Sequence, residues 1–400
     1  MGAKMPDVTA VVLACSRRDG AAALPQDVFL RFGSPDYHEA FLAYARDQQL
    51  LGLVLVELAR SAAGRLPPGI AEVHQQQLKQ LRRQAALWDF ERDQVVSLLH
   101  DREIPVVVLK GAALRLTAYR DPAERPFGDI DILVPKESLP DAVALLEAQG
   151  YARHSEHRDR IYLEHFHHLV LSRAPGFKVE VHWALAPEHS TLGLDPEAFR
   201  RDTVPAQTVS GSAFRVPAPE HMVIHLSAQN VEDGLALRRL VDLDRIIAAA
   251  GSGFDWSRLG SEARRMDAEG VVALSLRLAE LLLGTAIPRG FLGRLGLSRT
   301  VRTHLALLDP VRVVLGQRRG RRAVRDLLAL WCTAGTAARW GMLRDMATGR
   351  RERAWRELLH RPRGPIRRLV SLASLCWAQL ARYPAALARR VRARDFWGDG

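Results

Sequence analysis

The sequence predicts an α+β fold with an α/β core, in which a small mixed sheet is flanked by helical regions at both ends. Short β-branched runs are confined to residues of about 100–215, and amphipathic helical patterns precede and follow them. Hydrophobic residues make up 48% of the chain and charged residues 26%, which excludes a disordered, collagen-like or low-complexity protein. Three widely separated cysteines exclude a disulfide framework and a zinc module built on paired cysteines.

The N-terminal region is predicted to be helical. Apolar residues recur at helical spacing over residues 36–102. The longest such stretch runs from Ala71 to His100, and Pro67 and Pro68 mark its start.

The middle region is predicted to alternate strands and helices. The β-branched run 104–109 is typical of a buried strand, and a polar loop at 120–128 precedes a second strand at 129–135. Further elements are predicted in chain order: a short helix at 112–119, a helix at 138–149, and strands at 167–172 and 178–183.

From residue 219 onward the pattern is helical again, so we expect four regions. They are an N-terminal helical region (1–102), a sheet-containing core (103–216), a helical region packed on that core (217–300) and a basic helical tail (301–400).

The sharpest local motif is GDIDILV at residues 128–134. Side chains alternate along a strand, so Asp129 and Asp131 would share one face, with Cα atoms about 6.6 Å apart. Carboxylates at this spacing can share two Mg²⁺ ions about 3.5–4 Å apart, an arrangement used for in-line phosphoryl displacement. A strand end with two solvated acids would give the same motif.

A second predicted strand, KVEVHW at 178–183, carries another acid. Alternation places Glu180 and His182 on one face, and if this strand lies near 129–135, Glu180 joins the two aspartates. Three carboxylates suit a metal-bound triphosphate, and one of them can take a proton from an attacking hydroxyl. A surface acid on an edge strand is the alternative interpretation of Glu180. We regard His182 as a candidate phosphate or acceptor contact.

The turn VVVLKGAAL at 106–114 is a candidate phosphate-binding segment. Lys110 and Gly111 stand between a strand and a helix, where backbone N–H groups and the positive helix end can approach a phosphate. No GxxxxGK[ST] sequence is present, so the turn is not a Walker motif.

Arg125 is a second candidate for phosphate binding. It precedes Asp129 by four residues, and its guanidinium could clamp a phosphate through two N–H groups. Alternatively, it is a loop arginine in water or paired with Glu124 or Asp121. We expect Tyr119 in the core rather than stacked on a base.

Taken together, LKGAALRLTAYRDPAERPFGDIDILV (109–134) and VEVHW (179–183) resemble the uncharacterised nucleotidyltransferase family of the polymerase-β-like nucleotidyltransferase superfamily. The resemblance covers roughly residues 30–250, more loosely in HMVIHLSAQN and LRRLVDLDRII. It implies a nucleotidyltransferase fold. It also implies transfer of a nucleoside monophosphate from an NTP such as ATP to a hydroxyl of an unidentified acceptor, with Mg²⁺ or Mn²⁺.

The resemblance also implies roles for individual residues. By position, the catalytic and metal-binding carboxylates would be Asp129, Asp131 and Glu180, and the phosphate-side turn would be Lys110-Gly111. Ala112 departs from the superfamily's usual serine or glycine, which removes a hydroxyl that could bind phosphate. The gap from Gly111 to Asp129 is also wider than in many polymerase-β-like enzymes.

Two alternative functions remain open at this point. One is a catalytically inactive binding or regulatory protein of the same fold that uses its basic helical tail for an anionic partner. The other is phosphoryl transfer by the same acids, which the mass of the product would distinguish.

Histidines are concentrated in one segment: seven of 14 fall between His154 and His189, including HFHH at 165–168. A zinc site is one interpretation. We disfavour it because no cysteine lies nearby and the spacings within the segment match no common ligand set.

Positive charge is concentrated in residues 301–400, which hold 22 arginines, no lysine and seven acids, against a net charge of +12 for the whole chain. We expect a solvated helical surface there, with weak contact to nucleic acid or an anionic membrane as the alternative.

No segment is predicted to span a membrane. The longest apolar run, at 369–380, is well short of the ~20 residues that a bilayer requires, and VTAVVLAC at 8–15 is interpreted as a helix start. We expect a cytoplasmic protein.

Overall fold

The computed structural model describes residues 7–153, 163, 166–186, 190, 192–208, 213–297, 302, 310–316 and 332. Helices dominate its first hundred residues: α1 (Asp7–Ser16), α2 (Gln26–Arg31), α3 (Pro35–Asp47), α4 (Leu51–Ser61) and α5 (Pro68–His100). Short 3₁₀ turns lie at Gly20–Ala23 and Ala63–Arg65. Helix α5 begins at the expected proline, which loses no hydrogen bond in a first turn.

A seven-stranded mixed sheet follows: β1 (Val107–Val108), β2 (Ile130–Leu133), β3 (Ala152–Arg153), β4 (His168–Arg173), β5 (Phe177–His182), β6 (Thr203–Gln207) and β7 (Ala213–Pro217). The strand order is β3-β4-β5-β2-β1-β7-β6. Strand β2 is parallel to β5 and β1 is parallel to β7, whereas the other neighbours are antiparallel. The fold class expected from the sequence is therefore confirmed.

Helices connect the strands and continue after the sheet: α6 (Lys110–Thr117), α7 (Leu139–Ala148), α8 (Pro196–Arg201), α9 (Pro219–Glu232), α10 (Leu237–Ala250), α11 (Trp256–Arg265), α12 (Glu269–Leu283), α13 (Phe291–Arg294) and α14 (Pro310–Leu315). Two further 3₁₀ turns lie at Lys136–Ser138 and Gly251–Gly253.

Strand β1 is much shorter than the predicted run 104–109, because the chain enters α6 at Lys110. Pairing with β2 extends one residue further, since the Leu109 N–H donates to the Asp131 carbonyl over 2.9 Å. This contact fixes the start of α6 against the middle of β2.

A continuous group of buried apolar side chains joins the N-terminal helices, the sheet and the later helices; it includes Phe41, Leu109, Ile132, Val181 and Leu240. Division into four regions stays a prediction, and most of the basic tail lies outside the described residues. Within the described part of the chain, no helix is both long and apolar enough to cross a membrane.

Candidate active site

The strand alternation expected around the aspartates is present. Asp129 immediately precedes β2 and Asp131 lies within it, while the intervening Ile130 is completely buried. Asp131 is paired with Glu180 on the neighbouring parallel strand β5. Residues paired across a ladder point to the same face, so the two strands bring the acids of separate motifs together.

Four side chains meet at this point. Lys110 Nζ lies 2.5 Å from Asp131 Oδ1 and 3.7 Å from Glu180 Oε2. His182 Nε2 lies 3.0 Å from Asp131 Oδ1 and 3.4 Å from Glu180 Oε2. Asp131, Glu180 and His182 each offer a ligand atom within 4.8 Å of the other two. The site therefore combines two carboxylates, an imidazole and an ammonium group.

Electrostatics keep two of the carboxylates ionised. Burial alone would raise the pKa of Asp131, but the Lys110 ammonium and the His182 hydrogen bond lower it below its ordinary value. Burial likewise opposes ionisation of Glu180, yet His182 and Lys110 lower its pKa to about 2. An ionised carboxylate only accepts hydrogen bonds. His182 Nε2 therefore carries the hydrogen and donates the hydrogen bond to Asp131.

Asp129 behaves differently from the other two acids. Burial and the negative charges of Asp131 and Glu180 raise its pKa, although Lys110 and Arg238 oppose the shift. Asp129 is therefore the carboxyl group that most lacks a compensating cation.

Lys110 is held in an uncommon backbone conformation. Its φ is 49°, in the left-handed region, at the first residue of α6. Such a conformation in a residue other than glycine persists only where the surrounding structure enforces it, and it is frequent at functional sites. Burial alone would lower the pKa of Lys110, but Asp131 and Glu180 raise it above its ordinary value.

Close packing explains why residue 111 is a glycine. A Cβ atom at this position would lie 2.9 Å from Phe127 Cβ and 3.1 Å from Arg125 Nη1. Because contacts this short are not tolerated without movement, the glycine allows the loop before β2 to pack directly on α6.

Arg125 makes a bidentate contact with Asp242 of α10. Its Nε and Nη2 donate to the two carboxylate oxygens over 2.7 and 3.0 Å, and its Nη1 donates to the Pro126 carbonyl over 2.9 Å. The alternative pairing with Glu124 or Asp121 was wrong, because Arg125 turns inward and is only 3% exposed. Its guanidinium is therefore engaged with the protein, and its contact with a phosphate stays a prediction.

Tyr119 shares this buried carboxylate. Its hydroxyl donates to Asp242 Oδ1 over 2.6 Å, and the side chain is buried. The expected core position of Tyr119 is confirmed.

A cleft of about 500 Å³ opens beside the acids. Asp129, Asp131 and Lys110 line it, together with four arginines: Arg46 of α3, Arg125 of the loop before β2, and Arg238 and Arg239 of α10. His182 is absent from this lining and is only 1% exposed, so it supports the carboxylates from behind.

Arg238 is an arginine of this cleft whose charge is only partly compensated by nearby acids. Burial, with Arg125 and Arg239 nearby, lowers its pKa to about 9. Its buried Nε finds no hydrogen-bond acceptor among the described residues. Sequence reasoning missed Arg238, although LRRLVDLDRII contains it and begins where α10 begins.

The histidine-rich segment also reaches this end of the sheet. His168 is paired with His182 across β4 and β5, and His167 precedes β4 directly. One ring nitrogen of each of these three residues lies within 4.8 Å of those of the other two. Spacing along the chain does not reveal this cluster, because its third member is supplied by another strand.

Comparisons with known proteins complete the description. A family profile described as uncharacterised nucleotidyltransferase matches residues 35–284. The search of curated proteins gave no significant match. Among solved structures, the solution structure of the antibiotic-resistance factor ANT(2'')-Ia matches with 14% identity and a TM-score of 0.31, over 44% of this chain and 90% of that chain.

The family match includes every residue of the site, from Lys110 to Arg239. It also extends beyond the resemblance seen in the sequence, to the end of α12. Because the matched segment is more than half of the chain, the protein belongs to the uncharacterised nucleotidyltransferase family and is a nucleotidyl-transferring enzyme.

Proposed function

We propose that the protein transfers a nucleoside monophosphate from an NTP to a hydroxyl group of an acceptor, with Mg²⁺ or Mn²⁺ held by Asp129, Asp131 and Glu180. The observation that carries the proposal is the in-register pairing of Asp131 with Glu180 on adjacent parallel strands, beside a cleft of about 500 Å³. In this reaction the acceptor oxygen bonds to the α-phosphorus, the bond to the pyrophosphate oxygen breaks, pyrophosphate leaves, and the proton of the acceptor hydroxyl passes to solvent water.

The donor set fits a hard divalent cation. Carboxylate oxygens are preferred ligands of Mg²⁺ and Mn²⁺, and Lys110 already supplies a cation 2.5 Å from Asp131 Oδ1. A bound divalent ion supplies charge neutralisation at the α-phosphate and at the leaving pyrophosphate.

Lys110 and Arg238 are the residues that we assign to the phosphates. With Asp131 as a ligand of a divalent ion, the Lys110 ammonium would be free to contact a phosphate oxygen. Arg238 lines the same cleft, its buried Nε has no hydrogen-bond acceptor among the described residues, and guanidinium groups bind phosphate with two parallel hydrogen bonds.

His182 and Arg125 are assigned positioning roles instead of substrate contacts. His182 donates to Asp131 from the protein interior, which orients that carboxylate toward the cleft. Arg125 holds α10 through Asp242 and packs beside Gly111, so it fixes the wall of the cleft.

Glu180 is better suited to ligation than to proton removal. The sequence suggested that it takes the proton of the acceptor hydroxyl. A carboxylate with a pKa of about 2 is a weak base, so the electrostatics favour its role as a metal ligand.

The test is incubation of the protein with Mg²⁺, each α-labelled NTP and a lysate of the source organism, in parallel with γ-labelled NTP. We expect label from the α-phosphate to enter a product, with release of pyrophosphate and without transfer of the γ-label. Asp129→Asn and Asp131→Asn should each lower the rate by about 100-fold or more, since charge stabilisation at the reacting group is lost. Asp141→Asn, at an exposed position of α7, is the matched control.

Two results would contradict the proposal. Transfer of the γ-label alone would indicate phosphoryl transfer by the same acids. Absence of transfer together with unchanged Mg²⁺–NTP binding in both aspartate variants would remove these residues from the site.

A further inference from the structure

We propose that the protein binds one divalent transition-metal ion of the Zn²⁺ type through His167, His168 and His182. This imidazole site lies where β4 pairs with β5, the strand that carries Glu180. Asp129 is not one of its ligands. The proposal does not depend on nucleotidyl transfer.

The β4–β5 hairpin assembles the three ligands. His168 and His182 are direct cross-strand partners, so their side chains leave the sheet on the same face. The His167 carbonyl accepts the Trp183 N–H over 3.1 Å, which fixes His167 at the same end of the hairpin.

The three imidazole rings are in mutual contact. Ring centroids are 4.9 Å apart for His167 and His168, 5.4 Å for His167 and His182, and 4.8 Å for His168 and His182. One nitrogen of each ring lies within 4.8 Å of those of the other two, which is close enough for the three residues to hold one metal ion.

His182 has the hydrogen-bond arrangement of a metal-binding histidine. Its Nε2–H donates to Asp131 over 3.0 Å, while its Nδ1 is buried and finds no partner among the described atoms. A carboxylate that holds one ring nitrogen fixes the tautomer and the ring orientation, and leaves the other nitrogen as the ligand. The Nδ1 of His167 is likewise buried, again without a hydrogen-bond partner in the described part of the chain.

The chemistry of the donors selects the ion. Imidazole nitrogens suit Zn²⁺, Ni²⁺, Cu²⁺ and Fe²⁺, whereas Mg²⁺ prefers oxygen ligands. Three histidines leave a fourth tetrahedral position, which water can occupy. The protein would then hold a hard cation at Asp129, Asp131 and Glu180 and a softer cation at the adjacent histidines.

The experiment uses the full chain after removal of metal by a chelator. Co²⁺ is titrated in the presence of excess Mg²⁺, and visible absorption reports a tetrahedral Co²⁺ centre; Zn²⁺ is then added as a competitor. We expect one Co²⁺ per chain, displaced by one equivalent of Zn²⁺. His167→Gln and His168→Gln should lower the affinity at least about tenfold, whereas Asp129→Asn and the exposed control His100→Gln should retain it.

Replacing one histidine by another metal-binding residue tests the proposal even if a glutamine variant folds poorly. His168→Cys should still bind Co²⁺ and should add an intense sulfur-to-metal absorption band, because a thiolate replaces one imidazole. Failure to bind one Co²⁺ in excess Mg²⁺, equal loss of binding in Asp129→Asn, or a His168→Cys variant that binds without the new band would each overturn the proposal.

Discussion

Lys110 lies at the centre of the charge balance of the site. It contacts Asp131 directly and Glu180 at 3.7 Å, so it compensates the two acids on which a divalent ion would depend. In the proposed function, the same ammonium would compete with a divalent ion before substrate binds and would be available to a phosphate afterwards.

Replacement of Lys110 by Met should separate these two effects. Without the competing ammonium, affinity for Mn²⁺ in the absence of nucleotide should rise about tenfold, which corresponds to about 1.4 kcal/mol. Transfer from NTP should fall, since a phosphate contact is lost. Calorimetric titration with Mn²⁺ and a transfer assay measure the two quantities, and Lys136→Met, at an exposed position, is the control. A fall in Mn²⁺ affinity would show that Lys110 assists metal binding.

Glu180→Gln tests whether this carboxylate is a ligand or a base. If it is a ligand, the variant should need about tenfold or more Mg²⁺ for half-maximal rate, and high Mg²⁺ should restore much of the activity. If it is a base, the loss should persist at every Mg²⁺ concentration, with kcat reduced and the affinity for NTP unchanged. Rates over a Mg²⁺ series distinguish the two outcomes.

At the scale of residues, the alternation of side chains along a strand explains which residues of the site could be predicted from the sequence. Asp129 and Asp131 are two residues apart, just before and within β2, and Glu180 and His182 are two apart on β5, so the sequence could predict that each pair shares one face. Arg238 could not be found in this way, because it reaches the cleft only through the packing of α10 on the core.

At the scale of elements, the Arg125–Asp242 pair fastens α10 to the loop that precedes β2. Both side chains are almost fully buried, and Tyr119 donates to the same carboxylate. Burial alone would raise the pKa of Asp242, but Arg125 lowers it below its ordinary value. An ionised pair in the interior is satisfied only while both partners are present.

The losses of stability caused by single substitutions at this pair should not add up in the double variant. Arg125→Met or Asp242→Leu alone should lower the free energy of unfolding by about 3–5 kcal/mol, because each leaves an uncompensated buried charge. The double variant should recover a substantial part of that loss. Urea denaturation of the four proteins measures the coupling, and strictly additive losses would show that the two groups act independently.

The β4–β5 hairpin should make the metal-free protein sensitive to acid. Burial lowers the pKa of both His167 and His168 to about 2, from an ordinary value of 6.5. Between these values the unfolded chain binds protons that the folded chain does not. Stability should therefore be complete above pH 6.5 and decline as the pH falls below it, by up to about 1.4 kcal/mol per pH unit for each histidine.

Thermal unfolding in chelator at a series of pH values measures this effect. His167→Gln should flatten the decline below pH 6.5, whereas His100→Gln, at an exposed position, should leave it unchanged. A decline that is equally steep in His167→Gln would assign the acid sensitivity to other groups.

Helices and strands with a strong local hydrophobic pattern could be predicted. Strands that are short, or that form only by pairing with a neighbouring strand, could not. Helix α5 and the strands β2, β4 and β5 follow from periodicity and β-branched runs. Strands β3, β6 and β7 were missed: β3 is two exposed residues long, and β6 contains a proline, Pro205, so their extended form depends on their partners. For the same reason the His167–His168–His182 cluster could not be derived from spacing alone, although both of its strands were predicted.

At the scale of the whole molecule, positive charge and the enzymatic core occupy different parts of the chain. The family match ends at residue 284, whereas 22 arginines and five of the eight tryptophans lie in residues 301–400. The few described residues of that region contact the core: the Tyr44 hydroxyl donates to the Leu315 carbonyl over 2.8 Å, and Cys332 packs so closely on Gly270 that a Cβ there would clash.

The basic tail should attract anionic partners only through screened, non-specific electrostatics. A net charge of +15 in 301–400 acts over a Debye length of about 8 Å at physiological salt and about 3 Å at 1 M. Binding to RNA or to anionic vesicles should therefore be weak, show no sequence preference and disappear by about 0.5 M salt, because it depends on release of counterions. Sedimentation with vesicles and filter binding with RNA over a salt series test this, with the quadruple variant Arg361→Gln, Arg363→Gln, Arg367→Gln and Arg368→Gln expected to show a shallower salt dependence. Tight binding that survives 1 M salt would instead make the tail a dedicated recognition segment in which tryptophan stacking or insertion supplies the affinity.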